Sequence, residues 1–343
     1  MPILMPSFFG PISVRTLADL IAATATADET SPDSKNGWET DTAYRLVERL
    51  VIGRCSDHGA FADIAQRVLM MVYNLPEARV LSLLAKFNGV RRLPMNSGLE
   101  QVLAAMVGEL EQAIAMLPDG TRKMRCRSFL KYQEGIFYDA CGRFDLAAAM
   151  HIQSAYEASR INDAPGATIA QFCEMACRFK HALCQDKMDD ADVWFQCMEG
   201  SFAQVVEATR NSPFQVSWAE DNCPACMLAA CIWVDQAPKE WRAWVATLVA
   251  TAKLAKVYEY DGRFAQAVEM AFMGNPEADA ALIAISGDSV NPELQATVLL
   301  LLARRAMRAG KRDAATEFVN RMPKEGAQHV CAVAQRLLAG RTE

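Results

Sequence analysis

The sequence lacks long apolar runs and shows little alternation of apolar with polar residues. Its most apolar stretches, Met227–Val234 and Thr297–Ala303, end well before the roughly 18 apolar residues that mark a membrane-spanning helix. Strict alternation is the pattern of a half-buried strand, so its scarcity predicts that the fold contains no sheet. We therefore expect neither a membrane span nor a β-rich domain, while the apolar content of 52% is ample for a core.

A strong excess of one charge and a catalytic motif are also missing. The chain carries 41 acidic and 35 basic residues, and this mild acidity argues against a dedicated nucleic-acid-binding protein. Its four histidines lie in or beside helical patterns, outside any nucleophile elbow or His-Glu-x-x-His motif, and no phosphate or dinucleotide glycine motif occurs. We expect a non-catalytic protein without cofactor or metal ion, which would meet nucleic acid only through a complex.

Cysteine, in contrast, is plentiful, with 11 residues spread from Cys55 to Cys331. Most of them lie inside apolar periodic stretches, where a free cysteine behaves as a small hydrophobic residue. The first residues, Met1–Leu20, show no basic residue before Arg15 and no long apolar run that ends at a small-residue cleavage site. These observations predict a cytoplasmic protein whose thiols stay reduced.

Helix-forming residues dominate the chain, and proline or glycine interrupts them at short intervals. Between the interruptions, apolar residues recur every three or four positions. One such stripe consists of Leu99, Val102, Leu103, Met106, Leu110, Ile114 and Leu117. Short helices joined by short turns pack as antiparallel neighbours, so the predicted fold class is all-α. The polar stretch Asp28–Gly37 separates an N-terminal arm, residues 1–37 with one potential helix, from a helical domain over residues 38–340.

Three stretches of the chain align on a glycine that a basic residue follows, and we interpret each stretch as a helical hairpin. They cover residues 135–150, 255–270 and 303–318, with Gly142, Gly262 and Gly310 as the aligned glycines. In each stretch a small residue precedes the glycine by seven positions, and an alanine follows it by five. A glycine there can take the left-handed conformation that ends the first helix, and the small residues let the two helices approach closely.

This pattern resembles the tetratricopeptide repeat (TPR), whose signature has a small residue, an aromatic residue, a glycine turn and an alanine at these offsets. A fourth and weaker copy runs over Phe172–Val205, with Asp186 in the place of the glycine. The interval from Gly262 to Gly310 is longer than the family's repeat of about 34 residues. The resemblance implies a TPR-like α-solenoid of antiparallel hairpins. An irregular helical bundle whose turns look alike is the alternative.

Stacked helical hairpins leave a concave groove that is lined by the first helix of each pair. The resemblance therefore implies an intracellular adaptor or scaffold that binds a protein or peptide partner in such a groove. The positions expected to face the partner are Lys256, Tyr260, Arg304, Arg308, Tyr132 and Asp139. We expect Arg304 and Arg308 to receive an acidic segment, because guanidinium groups bind carboxylates in a bidentate manner. Alternatively, these cations merely offset the dipole at the end of their helix.

The motif Cys223-Pro-Ala-Cys226 supports a different function. A Cys-x-x-Cys pair at a helix start can have a lowered thiol pKa, because the helix N-terminus favours the thiolate. The alternative function is accordingly a thiol-based redox or regulatory protein that uses Cys223 and Cys226, although buried structural cysteines would produce the same pattern. A third alternative is a helical regulatory subunit of a larger enzyme complex.

Overall fold

The computed structural model describes residues 78–91, 97–210, 221–254, 259–288 and 291–340. Within these ranges the regular structure is helical and no strand occurs, which confirms the all-α prediction. The predicted N-terminal arm, residues 1–37, lies outside the described residues, and so does the start of the predicted helical domain at residue 38.

The described residues form two compact units. Unit 1 comprises the described residues up to Glu134 together with Gln153–Ala167. Unit 2 comprises Gly135–Ile152 together with the described residues from Thr168 onward. In chain order the helices are α1 (Ala78–Arg91), α2 (Ser97–Ala115), α3 (Thr121–Ala140), α4 (Phe144–Arg160), α5 (Ala164–Cys184), α6 (Met188–Arg210), α7 (Cys223–Val234), α8 (Trp241–Leu254), α9 (Glu259–Phe272), α10 (Ala278–Ser286), α11 (Pro292–Arg308), α12 (Arg312–Asn320) and α13 (Gln328–Leu338).

Many of these helices end in the same left-handed turn. After α3, Gly142 has a φ of 72°, and the N–H of Arg143 donates to the Tyr138 carbonyl oxygen at 2.9 Å. This bond, which reaches back five residues, is the signature of a Schellman motif. The same positive φ and the same bond recur at Asn162, Asp186, Asp235, Gly274 and Gly310. Glycine, asparagine and aspartate tolerate this conformation better than other residues, so the sequence itself specifies where these helices stop.

The structure confirms the predicted turns at Gly142 and Gly310 and contradicts the one at Gly262. Gly262 lies inside α9 and is buried, so the chain does not turn there. A Cβ atom on Gly262 would stand 2.3 Å from the Cβ of Ala252 in α8. The glycine is therefore needed for close packing of α8 against α9 rather than for a positive φ. Sequence alone does not distinguish these two uses of glycine.

Unit 1 is built around the contact between α1 and α2 and the close approach of α3 to α4. Phe87 on α1 and Leu103 and Leu110 on α2 are fully buried, whereas Val102, from the predicted apolar stripe, is half exposed. Ser154 Oγ of α4 donates to the Ser128 carbonyl oxygen of α3 at 2.9 Å. Ser128 Oγ donates in return to the Ser154 carbonyl oxygen at 3.1 Å.

Unit 2 is organised around α7, which is buried along nearly its whole length. This helix contacts α6, α8 and α9 and also α11, which follows much later in the chain. Trp233 at the end of α7 donates its indole N–H to Thr297 Oγ1 of α11 at 2.8 Å. The last helix, α13, contacts α11 and α12, and its Arg336 donates to the Leu183 carbonyl oxygen of α5 at 2.9 Å. In a solenoid each repeat contacts only its neighbours, so these contacts leave the predicted TPR-like solenoid unconfirmed.

Alanine substitution of two helical glycines tests the close packing of α8 against α9. Gly262→Ala should lower the free energy of unfolding by about 1–3 kcal/mol, because the new methyl group overpacks the helix contact. The matched control is Gly200→Ala in α6, where a Cβ would meet nothing within 4 Å. This control should raise stability by up to about 1 kcal/mol through helix propensity. Urea unfolding followed by circular dichroism measures both values, and equal effects would contradict the packing argument.

Candidate functional site

Arg304 and Arg308, which were expected to receive a partner's carboxylate, bind a carboxylate of the chain itself. Arg308 Nη2 donates to both carboxylate oxygens of Asp235, at 2.5 and 2.7 Å. Arg304 Nη1 lies 3.1 Å from Asp235 Oδ1, and its Nη2 donates to the Trp233 carbonyl oxygen at 3.1 Å. Arg304 is only 5% exposed. The two arginines therefore tie the end of α7 to the end of α11.

Among the other predicted positions, Asp139 has a partner within unit 2. Asp139, near the end of α3, accepts hydrogen bonds from Lys180 of α5. Tyr132 on α3 and Tyr260 on α9 are half-buried, and Lys256 lies outside the described residues.

Lys180 occupies a charged centre inside unit 2 that the sequence analysis missed. Its Nζ atom lies 2.9 Å from Asp139 Oδ2 and 2.7 Å from Glu293 Oε2, in the first turn of α11. It also lies 5.9 Å from the ring centroids of both Phe144 and Trp233, within the range of cation–π attraction. The side chain of Lys180 is 7% exposed, so three helices and two aromatic rings enclose one ammonium group.

A signal for this centre exists in the sequence. The buried face of α5 carries Ile169, Phe172, Ala176 and Leu183 at helical spacing, and Lys180 falls within that apolar stripe. A lysine at such a position requires buried acidic partners. The sequence does not identify these acidic partners, because Glu293 resembles an ordinary acidic residue in the first turn of a helix.

Electrostatics keep this lysine charged. Burial alone would lower the pKa of Lys180, but the attraction of Asp139 and Glu293 outweighs it and raises the pKa well above its ordinary value. Burial raises the pKa of Glu293, and the nearby ammonium opposes that rise. An ammonium that stays protonated and is bound on both sides by carboxylates is suited to hold helices together and is poorly suited to act as a base or nucleophile.

Two buried histidines lie close to the charged centre. A Cβ on Gly135 would stand 2.5 Å from the His151 ring, so this imidazole packs directly on the glycine of α3. Burial lowers the pKa of His151 to about 4. His329 packs edge-on against Trp233, with ring centroids 4.4 Å apart, and burial and Lys180 together hold its pKa well below the usual range. Both histidines are therefore neutral at pH 7.

The Cys-x-x-Cys motif begins α7, where Cys223 is buried and Cys226 is partly buried. Burial raises the pKa of Cys223 well above the ordinary value and that of Cys226 to about 12. The expectation of a lowered thiol pKa is therefore wrong, because loss of hydration outweighs the field of the helix N-terminus. Asn222, just before the motif, makes no side-chain capping bond to α7. Across the part of the chain that the structure describes, His, Cys, Asp and Glu side chains form no group of three or more that could hold a metal ion.

Unit 1 contains a solvent-open cleft of about 400 Å³ between α2, α3 and α4. It is lined by Glu111, Ile114, Ala115, Arg127, Leu130, Lys131, Gln153, Tyr156 and Glu157. Ile114 and Leu130 form a buried apolar floor, whereas Tyr156 stands 63% exposed at the side. The guanidinium carbon of Arg160 lies 5.7 Å from the Tyr156 ring centroid, within the range of cation–π attraction.

The polar groups of this cleft differ in whether they have hydrogen-bond or ion-pair partners. Lys131 Nζ bridges Glu111 Oε1 at 2.9 Å and Glu134 Oε1 at 3.0 Å. Burial raises the pKa of Glu134 although Lys131 opposes the rise. Glu157 Oε2 is buried without a hydrogen-bond donor, and Arg160 Nη1 is 3.9 Å away. A buried acceptor without a donor costs about 1–3 kcal/mol. The Arg160 guanidinium offsets part of that cost.

Comparisons with known proteins found no matching family model, no matching curated protein and no matching solved structure. Among the described helices, none combines the length and apolarity required to cross a bilayer.

Removal of the Lys180 ammonium should strongly destabilise unit 2. Lys180→Met leaves two carboxylates without their cation, so we expect a loss of about 3–5 kcal/mol in the free energy of unfolding. Urea titration followed by tryptophan fluorescence measures this loss of stability, since Trp233 adjoins the charged centre. Addition of Asp139→Asn and Glu293→Gln should restore part of the loss. Lys187→Met, at an exposed position beyond the end of α5, is the control and should change stability by less than about 0.5 kcal/mol.

His151 should make the protein less stable in mild acid. The unfolded chain binds a proton at this residue below pH 6.5, whereas the folded state does so only near pH 4. The contribution of His151 is thus complete above pH 6.5 and falls by about 3 kcal/mol as the pH drops to 4. In urea titrations over this range, His151→Gln should flatten the pH dependence in part, since His329 still contributes. An unaltered slope in His151→Gln would refute the argument.

Proposed function

We propose that this chain is a non-catalytic helical adaptor that binds a peptide segment of a partner protein in the cleft of unit 1, which we call the α2–α4 cleft. Helical hairpins with recurring Schellman turns and buried small residues, including Ala147, Ala267 and Ala315, support a TPR-like organisation of the chain. The cytoplasmic location expected from the sequence remains part of this proposal.

The α2–α4 cleft is the better candidate because the corresponding surface of unit 2 is filled. There, the facing sides of α3, α5, α7 and α11 meet through the chain's own side chains, with Lys180 at the centre. A guest would have to displace a buried ion pair. The α2–α4 cleft is open to solvent, and the Tyr156 ring and Ala115 are exposed there.

A peptide suits the chemistry of the cleft. Aromatic side chains at the edge of an apolar cleft are frequent anchors of protein interfaces, since a tyrosine buries much area at low entropic cost. A peptide backbone presents N–H and C=O groups in alternation to the polar lining of the cleft, while its side chains pack on the Tyr156 ring. The observation that carries the proposal is this open cleft with an exposed tyrosine at its side.

Selection from a library of random linear peptides tests the proposal. The full chain should retain a family of peptides, and Tyr156→Ala should weaken their binding about tenfold, as expected for an aromatic anchor. Ala115→Trp, which adds bulk at an exposed position in the cleft, should block binding.

The matched control is Ala203→Trp on the exposed surface of α6, which should leave the affinity unchanged. Circular dichroism verifies that each variant is folded. Failure to retain any peptide, or equal affinities for Ala115→Trp and Ala203→Trp, would overturn the assignment of the cleft.

A further inference from the structure

We propose that the α2–α4 cleft selects peptides that carry an acidic side chain, and that Arg127 is the residue that binds this carboxylate. This inference rests on the proposed function and specifies the chemistry of the guest. Arg127 lies on α3, lines the cleft and is exposed.

The two cations of the cleft are in different situations. Lys131 is compensated by two carboxylates, those of Glu111 and Glu134, and so has no attraction left for a third. The guanidinium of Arg127 makes no hydrogen bond or ion pair with any residue that the structure describes. Asp119, which Arg127 influences only weakly, is bound to Lys123 at 3.0 Å. Arg127 is therefore the lining cation that is available to a guest.

The remaining lining charges decide which anion fits. Glu111 and Glu157 also line the cleft, so a multiply charged anion such as a phosphate would meet repulsion on two sides. A single carboxylate on a neutral backbone carries less charge and meets less of this repulsion.

Arginine suits this task because its planar guanidinium binds both oxygens of a carboxylate at once. The carboxylate recognition that the sequence predicted for Arg304 and Arg308 is met within the chain by Asp235. In the α2–α4 cleft, by contrast, the guest must supply the carboxylate.

The inference can be tested on the full chain with three random-peptide libraries. The libraries differ in one fixed residue, which is glutamate, glutamine or lysine. We expect the glutamate library to bind about tenfold more tightly than the glutamine library, and the lysine library to bind most weakly. Arg127→Gln should abolish the preference for glutamate, and Arg127→Glu should reverse it in favour of lysine. Because Arg127 is exposed, the preference should decrease as salt is added.

Lys187→Gln serves as the control, since it removes an exposed basic side chain that does not line the cleft. It should leave the preference intact. Peptide binding that is sensitive to Ala115→Trp but indifferent to Arg127→Glu would overturn this inference and leave the proposed function standing. If none of the three libraries is retained, both proposals fall.

Discussion

The buried ammonium of Lys180 is the interaction on which the described part of unit 2 depends. It is bound by Asp139 from α3 and by Glu293 from α11, at 2.9 and 2.7 Å, although these carboxylates are far apart in the sequence. A buried charge without its partners costs several kcal/mol, so the three side chains must reach their places together. Apolar packing tolerates many small displacements of a helix, whereas this polar cluster tolerates few. We infer that it selects one arrangement of α3, α5 and α11.

The same cluster explains why the facing sides of these helices do not form an open groove. Phe144 and Trp233 surround the ammonium, and Trp233 in turn contacts His329 of the last helix. Each of these groups binds its neighbour or shields it from water. The contacts that a guest could form there would be weaker than the contacts that it would have to break. The surface that we propose for a partner is therefore the α2–α4 cleft of unit 1.

The helix ends were readable from the sequence where a residue suited to positive φ marks the turn, as at Gly142, Asp186 and Gly310. Gly262 was misread, because a glycine needed for close packing looks the same as a glycine needed for a turn. The pairing of Arg304 and Arg308 with Asp235 was not predictable, since the sequence does not show which distant helix end a guanidinium reaches. The α2–α4 cleft was equally hidden, because it exists only once three helices are assembled.

The Lys180 centre and the α2–α4 cleft differ in how many of their charged groups have a partner within the chain. At the Lys180 centre, both carboxylates bind the ammonium, so the cluster contributes to the fold and has little affinity left for a ligand. In the α2–α4 cleft, Lys131 is satisfied in the same way, but Arg127 faces solvent and pairs with no carboxylate that the structure describes. A guest that carries a carboxylate would supply that pair. We therefore propose that the surface with an unpaired arginine beside an exposed tyrosine binds a partner, whereas the fold uses the filled surface for itself.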